Sequence, residues 1–352
     1  MKDLQYIAAQ FAFEGSIRDI KPLGNGLIND TYRVFTYGPA DYVLQRINTA
    51  IFKDVELLQH NIECATEHIR RKGALTLRFV PCKATGKTYW TDGESHWRLS
   101  EFIPDAYTFE MVNPEYSYCA GKAFGEFEAM LSDIPEKLGE SIPDFHNMEL
   151  RARQLHEAVS ADAAGRMALP QVQAILKDLL AYEEEMCKAE RLFREGKLPK
   201  RICHCDTKVN NMLFDKDGNI LCVIDLDTLM PSFVFSDFGD FLRTAANTVA
   251  EDSPEVEKVD FRMDIFGSFA KGYLESARSF LTPTEIELLP YGACLFPYMQ
   301  AVRFFADYIN GDTSYKIQYP DHNLVRTRNQ VALFHAAYGK LPRMQEVIAS
   351  LL

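Results

Sequence analysis

The sequence predicts an α+β protein with a bilobal fold: a small antiparallel-sheet lobe with one helix in residues 1–103, and a larger, mainly helical lobe in residues 104–352. Strand-like segments separated by turn residues crowd into the first range. Beyond residue 113, apolar residues recur instead at helical spacing, which predicts helices at residues 118–131, one or two within 162–194, and further helices at 237–248, 262–277, 284–306 and 326–338. A chain of 352 residues is also too long for one compact core, which favours two lobes.

The first lobe begins with strands at residues 17–23 and 30–35, joined by the turn Gly24-Asn25-Gly26. Such a turn lets backbone amides approach phosphates because no side chain stands in the way. A helix is predicted at residues 54–71, where apolar residues recur on one face. Further strands are predicted at residues 42–46, 76–81, 88–91 and 97–103. Pro104-Asp105 then marks the boundary between the lobes.

A resemblance to kinases, carried by residues 201–230, implies a nucleotide site in this lobe, with a cation near the phosphates. Kinases carry a Lys on the third strand for this purpose, but here Arg46, beside Gln45, is the best-placed cation. A helix carboxylate is expected to pair with it, and Glu63 is chosen over Glu56 and Glu67. Backbone groups at the end of the last strand are expected to meet the adenine edge: Glu101, Phe102 and Ile103.

The segment 201–230 carries the predicted chemistry. Asp206 is followed five residues later by Asn211, and Asp217-Gly218 then marks a hairpin whose return strand delivers Asp225. In phosphoryl transfer one carboxylate orients the attacking hydroxyl, while an amide oxygen and a second carboxylate hold Mg²⁺ on the nucleotide phosphates. The segment therefore predicts an enzyme that uses ATP and Mg²⁺.

A literal Asp-Phe-Gly sequence at residues 237–239 competes for the metal role. The metal-binding Asp of protein kinases leaves a strand shortly after the Asn, as Asp225 does 14 residues after Asn211. Asp237 comes 26 residues after Asn211 and beyond Pro231. We therefore predict that Asp237 caps a helix through residues 240–242, where its side chain would accept hydrogen bonds from the first amides.

The composition limits the partners. The net charge is −12, with 38 Lys and Arg against 50 Asp and Glu, which argues against nucleic acid. Neither a signal peptide nor a membrane span is expected, because no basic flank precedes a long apolar run and no stretch approaches ~20 apolar residues. The eight cysteines, scattered except for Cys203 and Cys205, are expected to be reduced thiols of a cytoplasmic protein. The oligomeric state is left open.

The pattern H-x-D-x-x-x-x-N, followed by a strand ending in Ile224-Asp225, resembles the aminoglycoside phosphotransferase and choline kinase families, which are relatives of the protein kinases. The resemblance implies a protein-kinase-like fold. It also implies that Asp206 is the catalytic base, that Asn211 and Asp225 are Mg²⁺ ligands and that His204 supports the loop.

Longer motifs narrow the resemblance to the N-acetylhexosamine 1-kinase branch. They span most of the chain, at residues 23–31, 42–48, 97–103, 106–109, 204–213, 224–231 and 303–312. This implies ATP- and Mg²⁺-dependent phosphorylation of the anomeric hydroxyl of GlcNAc or GalNAc, a small-molecule sugar acceptor.

Further residues are assigned within that resemblance. Arg303 is the candidate for steadying the phosphoryl group in flight, with a structural ion pair as the alternative. Asp227 orients the site, joins the metal shell or caps the following loop. Four residues are candidates for binding sugar hydroxyls, although Asn-Gly-Asp is also an ordinary turn: Asp307, Tyr308, Asn310 and Asp312.

Two other interpretations stay open at this point. The first is a kinase for another sugar, an amino alcohol or an aminoglycoside. Residues 1–103 are nearly neutral, so the acidic excess lies in the second lobe, where it suits a cationic acceptor or simply a solvated surface. The second is a catalytically inactive binding protein, against which the joint presence of Asp206, Asn211 and Asp225 argues.

Overall fold

The computed structural model describes residues 3–24, 28–108 and 112–352. It has the predicted α+β architecture, with an antiparallel sheet near the N-terminus and a mostly helical remainder. Contacts divide the chain into two compact units. Unit 1 comprises Met1–Thr108, Asp133–Pro143 and Asn211–Met230, and unit 2 comprises Phe109–Ser132, Asp144–Asn210 and Pro231–Leu352. The predicted division between residues 103 and 104 assigned two later segments, 133–143 and 211–230, to the second lobe, whereas they belong to unit 1.

The elements described follow one another as α1 (Leu4–Ala8), β1 (Ile17–Pro22), β2 (Asp30–Thr36), β3 (Tyr42–Ile47), α2 (Val55–Arg71), β4 (Trp90–Thr91), β5 (His96–Glu101), α3 (Pro114–Leu131), α4 (Met148–Ala161), α5 (Pro170–Met186), α6 (Lys188–Arg194), β6 (Arg201–Cys203), β7 (Met212–Phe214), β8 (Ile220–Val223), β9 (Met230–Ser232), α7 (Val234–Ala245), α8 (Met263–Ala277), α9 (Pro283–Glu287), α10 (Leu289–Ile309), α11 (His322–Gly339) and α12 (Leu341–Ser350).

The main sheet of unit 1 has the strand order β1-β2-β3-β5-β4, and its neighbouring strands are antiparallel. One face packs on a core that includes Val34, Leu44 and Leu99, all fully buried. The register places Gln45 of β3 between Thr31 of β2 and Arg98 of β5. Polar side chains of three adjacent strands therefore form one row.

Helix α2 confirms the prediction from its periodicity. Asp54 caps it by accepting a hydrogen bond from the Leu57 backbone N at 2.9 Å. Its side chains Leu58, Ile62 and Ile69 are buried along one face. The stripe that predicted the helix is the stripe that packs.

The predicted strand at residues 76–81 is wrong, and the one at 88–91 shortens to β4. Strand β5 offers one edge beyond β3, and β4 takes its first two residues there. Further along the same edge, the Val80 N donates to the Leu99 O and the Glu101 N donates to the Arg78 O, both at 2.8 Å. Strand β5 has six residues, and both β4 and residues 76–81 bond to this one edge of it. Residues 76–81 therefore form an isolated bridge at Phe79 rather than a strand.

The predicted hairpin is confirmed as β7 and β8, which pair antiparallel with Met212 opposite Val223. Gly218 adopts the positive φ of 82° that the turn requires. The Asn61 side chain of α2 donates to the Leu229 carbonyl at 2.9 Å. The segment that follows the hairpin is therefore bonded to α2, within unit 1.

Unit 2 is built around helices that approach one another closely. A Cβ on Gly121 of α3 would lie 2.1 Å from the Phe269 carbonyl of α8, and one on Gly272 would meet the Tyr118 carbonyl at the same distance. The predicted helix at residues 284–306 is two helices, α9 and α10, and α4 and α12 were not predicted. No helix in the described part of the chain is both long and apolar enough for a bilayer.

Candidate active site

The loop that carries Asp206 follows β6 in unit 2 and is shaped by His204. The His204 ring is fully buried and packs edge-on against Phe124 and Phe127, with ring centroids 5.7 and 6.0 Å away. The Asp206 backbone N donates to His204 Nδ1 at 3.2 Å. Cys205 between them has a φ of +62°, so the chain turns sharply and leaves Asp206 partly exposed.

The prediction that Asp237 caps a helix is wrong. Helix α7 begins three residues earlier, at Val234, and Asp237 is a fully buried residue of its first turn. Its carboxylate accepts hydrogen bonds from the backbone N of His204 at 2.6 Å and of Cys205 at 2.7 Å. Asp237 therefore holds the loop that carries Asp206.

A second buried acid, Glu128 of α3, lies against Asp237. Burial and the charge of Asp237 raise the pKa of Glu128 well above its usual range, and the two side chains share a hydrogen bond. The protonated form of Glu128 is thereby favoured, and the Tyr273 hydroxyl also donates a hydrogen bond to it. Glu128, Asp237 and Cys203 could together hold a metal. Burial raises the pKa of the Cys203 thiol well above its usual range, which disfavours the thiolate that a metal needs.

Asp206 has a cationic neighbour that the sequence analysis missed. Lys208 Nζ lies 2.6 Å from Asp206 Oδ1. Burial disfavours the charge of Lys208, but the Asp206 carboxylate and its hydrogen bond outweigh it, so the pKa of Lys208 is raised. The sequence could have indicated this pair, because Lys208 comes only two residues after Asp206.

Asp240 of α7 accepts a hydrogen bond from the Thr207 backbone N at 3.1 Å. Burial raises the pKa of Asp240 to about 6, although Arg243 opposes this, and the charge of Asp206 adds to it. The loop that carries Asp206 is therefore held by two acids of one helix, Asp237 and Asp240.

This pKa predicts a pH-dependent stability. An unfolded Asp loses its proton near its ordinary pKa, whereas folded Asp240 keeps it up to about pH 6. Its contribution to the free energy of unfolding should therefore fall as pH rises from 4 to 6, by ~3 kcal/mol, and stay constant above that. Urea unfolding of the wild type and of Asp240→Asn across this range measures the difference. Parallel pH profiles would contradict the prediction.

The predicted metal ligands lie at one end of the β7–β8 hairpin in unit 1. Asn211 ends a 3₁₀ turn directly before β7, and its carbonyl accepts a hydrogen bond from the Ile224 N at 2.9 Å. Asp225 follows with a φ of +59°, a left-handed conformation. An amide oxygen and a carboxylate are ligands that suit Mg²⁺, so these two residues fit the ion they were predicted to hold.

Asp227, two residues further on, is buried and bonded on both sides. Arg98 Nη1 of β5 lies 2.5 Å from its Oδ1, and the Asn29 side chain donates to its Oδ2 at 2.6 Å. Asn29 in turn accepts a hydrogen bond from the Asn48 backbone N at 3.0 Å. Asp227 thus joins the segment of the predicted metal ligands to the sheet, and the sequence analysis missed Arg98 and Asn29.

The ion pair expected between Arg46 and Glu63 is not formed. Arg46 is half-exposed and pairs with Asp30 of the neighbouring strand at 2.5 Å. Glu63 instead accepts a hydrogen bond from the Thr88 hydroxyl. Both residues are satisfied locally, so the structure brings no helix carboxylate to the β3 cation.

The other predicted nucleotide-binding residues are only partly described. Gly24 has a φ of +70°, and no described residue beyond its chain neighbours lies within 4 Å of the place of a Cβ there, while Asn25 and Gly26 lie outside the described residues. The backbone N of Glu101 donates to the Arg78 O, and that of Phe102 to the Asp41 O at 2.9 Å. An adenine contact at the predicted segment would therefore use their carbonyls or the backbone of Ile103.

In unit 2, Arg303 of α10 lies between two aromatic rings, 5.8 Å from the centroid of Phe145 and 5.7 Å from that of Tyr315. His146 stacks on Phe145 with centroids 4.5 Å apart. Burial and the charges of Arg303 and Arg151 lower the pKa of His146 well below its usual range. The cluster is thus a neutral imidazole and aromatic rings next to guanidinium groups.

The substrate-binding roles of Asp307, Tyr308 and Asp312 stay predictions, and in the structure all three side chains have partners within unit 2. The Asp307 carboxylate accepts hydrogen bonds from three successive backbone N atoms, those of residues 313–315, at 2.8 to 3.0 Å. Tyr308 donates to Asp321, and Asp312 pairs with Arg166 at 2.7 Å. These three residues position the loop that bears Tyr315. Asn310 lies exposed at the end of α10, and its role stays a prediction.

Comparisons with known proteins identify a matching family and solved structures with a similar fold. A family model described as "Phosphotransferase enzyme family" matches residues 19–277. The structure is similar to an aminoglycoside phosphotransferase from Alicyclobacillus acidocaldarius (TM-score 0.65, 13% identity, 98% of this chain and 96% of that one). It is also similar to a microcompartment-associated aminopropanol kinase (0.62, 16%, 97% and 98%) and to the amicoumacin kinase hAmiN in complex with AMP-PNP, Ca²⁺ and Ami (0.61, 16%, 94% and 92%).

Proposed function

Because the chain belongs to the phosphotransferase enzyme family, we propose that it is an ATP- and Mg²⁺-dependent kinase that phosphorylates the anomeric hydroxyl of an N-acetylhexosamine, GlcNAc or GalNAc. The nucleotide is supported by the similarity to a kinase in complex with AMP-PNP. The metal is supported by the donor set of Asn211 and Asp225 on the hairpin. The acceptor is supported by the cluster around Arg303, which carries this proposal beyond the family.

Asp206 is the group that receives the proton of the attacking hydroxyl. Asp206 is partly exposed, on a loop whose backbone is hydrogen-bonded to the side chains of Asp237 and His204. Lys208 pairs with one of its oxygens at 2.6 Å. When bound, Mg²⁺ neutralises charge on the nucleotide phosphates. Arg303 offers a guanidinium to the phosphoryl group as its negative charge is redistributed.

The charge of the acceptor cluster favours a neutral substrate. Arg303 and Arg151 are near enough to lower the pKa of His146, and Arg243 adds to this. The same charges would repel an ammonium group at ~5 Å by roughly 3 kcal/mol at an effective dielectric constant of ~20. The flanking rings of Phe145 and Tyr315 offer apolar faces to a sugar ring. Aminopropanol or an aminoglycoside would therefore be a poor acceptor.

An acetamido group on the sugar adds selectivity. A pocket that hydrogen-bonds this group leaves its own polar atoms unpaired when a plain hexose binds. This costs ~1–3 kcal/mol for each unpaired group. We therefore expect kcat/KM for GlcNAc or GalNAc to exceed that for glucose or galactose by at least ~10-fold.

Turnover of a panel of acceptors with ATP and Mg²⁺ tests the proposal. The panel contains GlcNAc, GalNAc, glucose, galactose, 1-amino-2-propanol, ethanolamine and kanamycin. Phosphorus NMR of the product should show a phosphomonoester coupled to the anomeric proton. A phosphate coupled to a CH₂ group, or turnover confined to the amines, would contradict the acceptor and leave a kinase of another specificity. A folded protein that turns over no acceptor and binds no nucleotide would contradict the enzyme.

A further inference from the structure

We infer that Arg98 on β5 is the buried positioning cation of the nucleotide site, and that its pair with Asp227 holds the metal-binding turn in place. Kinases use a Lys on the third strand paired with a helix Glu for this purpose. In this chain the cation is instead Arg98 on the neighbouring strand, and its carboxylate partner is Asp227, close in sequence to the proposed metal ligand Asp225. The inference rests on the proposed function.

The first argument is burial. The side chains of Arg98 and Asp227 are 3% and 5% exposed, and their closest atoms are 2.5 Å apart. A buried ion pair must offset the loss of hydration of both ions, and an apolar pair of similar size is often at least as stable. The stability of unit 1 therefore does not explain why this buried pair is charged. A requirement to hold Asp227 in a defined position does explain it.

The second argument is the neighbour on β3. On β3 the residue directly opposite Arg98 in the register is Gln45, which is neutral. Its Oε1 accepts a hydrogen bond from Arg98 Nε at 2.9 Å, and its Nε2 donates to Thr31 at 3.2 Å. Gln45 thus directs the guanidinium of Arg98. Arg46, the cation beside it, is half-exposed and paired with Asp30.

The third argument is where the pair leads. Asp227 lies in a 3₁₀ turn that starts directly after Asp225, whose φ of +59° is sparsely populated for a residue other than glycine. The same carboxylate binds the Asn29 side chain, which follows the Gly-rich segment. Displacing Asp227 would therefore disturb both the turn that begins after Asp225 and the position of the Asn29 side chain.

Binding of AMP-PNP with and without Mg²⁺, measured by calorimetry on the full chain, tests the inference. Arg98→Met leaves the buried Asp227 carboxylate without its cationic partner, although the Asn29 hydrogen bond remains, and should lower both Tm and affinity for the Mg²⁺ complex. The double variant Arg98→Met/Asp227→Leu removes both charges, so we expect it to recover most of the Tm. Its affinity for the Mg²⁺ complex should still be at least ~10-fold weaker than that of the wild type, since the turn is no longer held. Wild-type affinity in the double variant would overturn the inference.

Two further variants keep the test decisive. Arg98→Lys retains a charge that can pair with Asp227 but loses the Nε hydrogen bond to Gln45, so its affinity for the Mg²⁺ complex should lie between those of the wild type and of Arg98→Met. Equal losses in the Lys and Met variants would overturn the role of the charge. Arg194→Met is the matched control, because Arg194 also pairs with a carboxylate, Glu149, at 2.7 and 2.8 Å, but on α6 of unit 2. It should bind as the wild type does.

The acceptor plays no part in these measurements, so the two proposals can fail separately. A wild-type protein that binds no AMP-PNP with Mg²⁺ would overturn the proposed function and this inference with it. A wild-type protein that binds AMP-PNP but phosphorylates only an amine would overturn the proposed acceptor alone. The Arg98 variants would then still decide the inference.

Discussion

Replacing Asp206 by Asn is expected to lower kcat by about 10³-fold while the affinity for the nucleotide changes little. Asn has the same shape, so the loop held by His204 and Asp237 should keep its conformation. The amide cannot take the proton of the attacking hydroxyl, and it also releases Lys208 from its ion pair. The loss should thus fall on the chemical step rather than on binding.

Steady-state kinetics with the best acceptor and calorimetry with AMP-PNP measure the two quantities. Asp264→Asn is a matched control, because Asp264 is half-exposed and pairs with Arg262 on the first turn of α8, in unit 2. It should leave kcat within a factor of about two. A folded Asp206→Asn protein with near-normal kcat would remove Asp206 from the role of base.

The parts of the fold that sequence reasoning predicted are those set by local rules. Helix α2 has a strong capping residue and an apolar stripe of large side chains, and the hairpin has its turn residues at Asp217-Gly218. Helix α4 was missed because two of the residues that it buries are alanines, Ala152 and Ala158, which weaken the stripe. Residues 76–81 look like a strand locally, but the available edge is shared with β4.

The site shows the same limit. The spacing of Asp206, Asn211 and Asp225 places them on one loop and one hairpin, because all three lie within 20 residues of each other. The partners of charged groups are set by strand register and helix packing instead. Arg98 meets Asp227, 129 residues away in the sequence, and no local pattern announces that pairing. In the sequence Asp237 likewise looks like a capping residue. Only the folded structure shows that its carboxylate binds the backbone of residues 204–205.

Asp225 and Asp237 can be separated by experiment, since the first is assigned to the metal and the second to the loop. Asp225→Asn is expected to weaken Mg²⁺-dependent binding of AMP-PNP by at least about 10-fold, because an anionic ligand becomes neutral. Asn tolerates the φ of +59° at this position, so Tm should change little.

Asp237→Asn should have the opposite signature. The Asp237 carboxylate accepts two backbone hydrogen bonds, at 2.6 and 2.7 Å, in a fully buried place. An Asn amide turns one acceptor into a donor, so one backbone N–H is left unpaired at a cost of ~1–3 kcal/mol. Tm should therefore fall clearly, whereas AMP-PNP binding with Mg²⁺ persists below Tm. If Asp237→Asn abolished Mg²⁺-dependent binding at full stability while Asp225→Asn kept it, the metal would belong to residues 237–239, and the argument from strand spacing would be wrong.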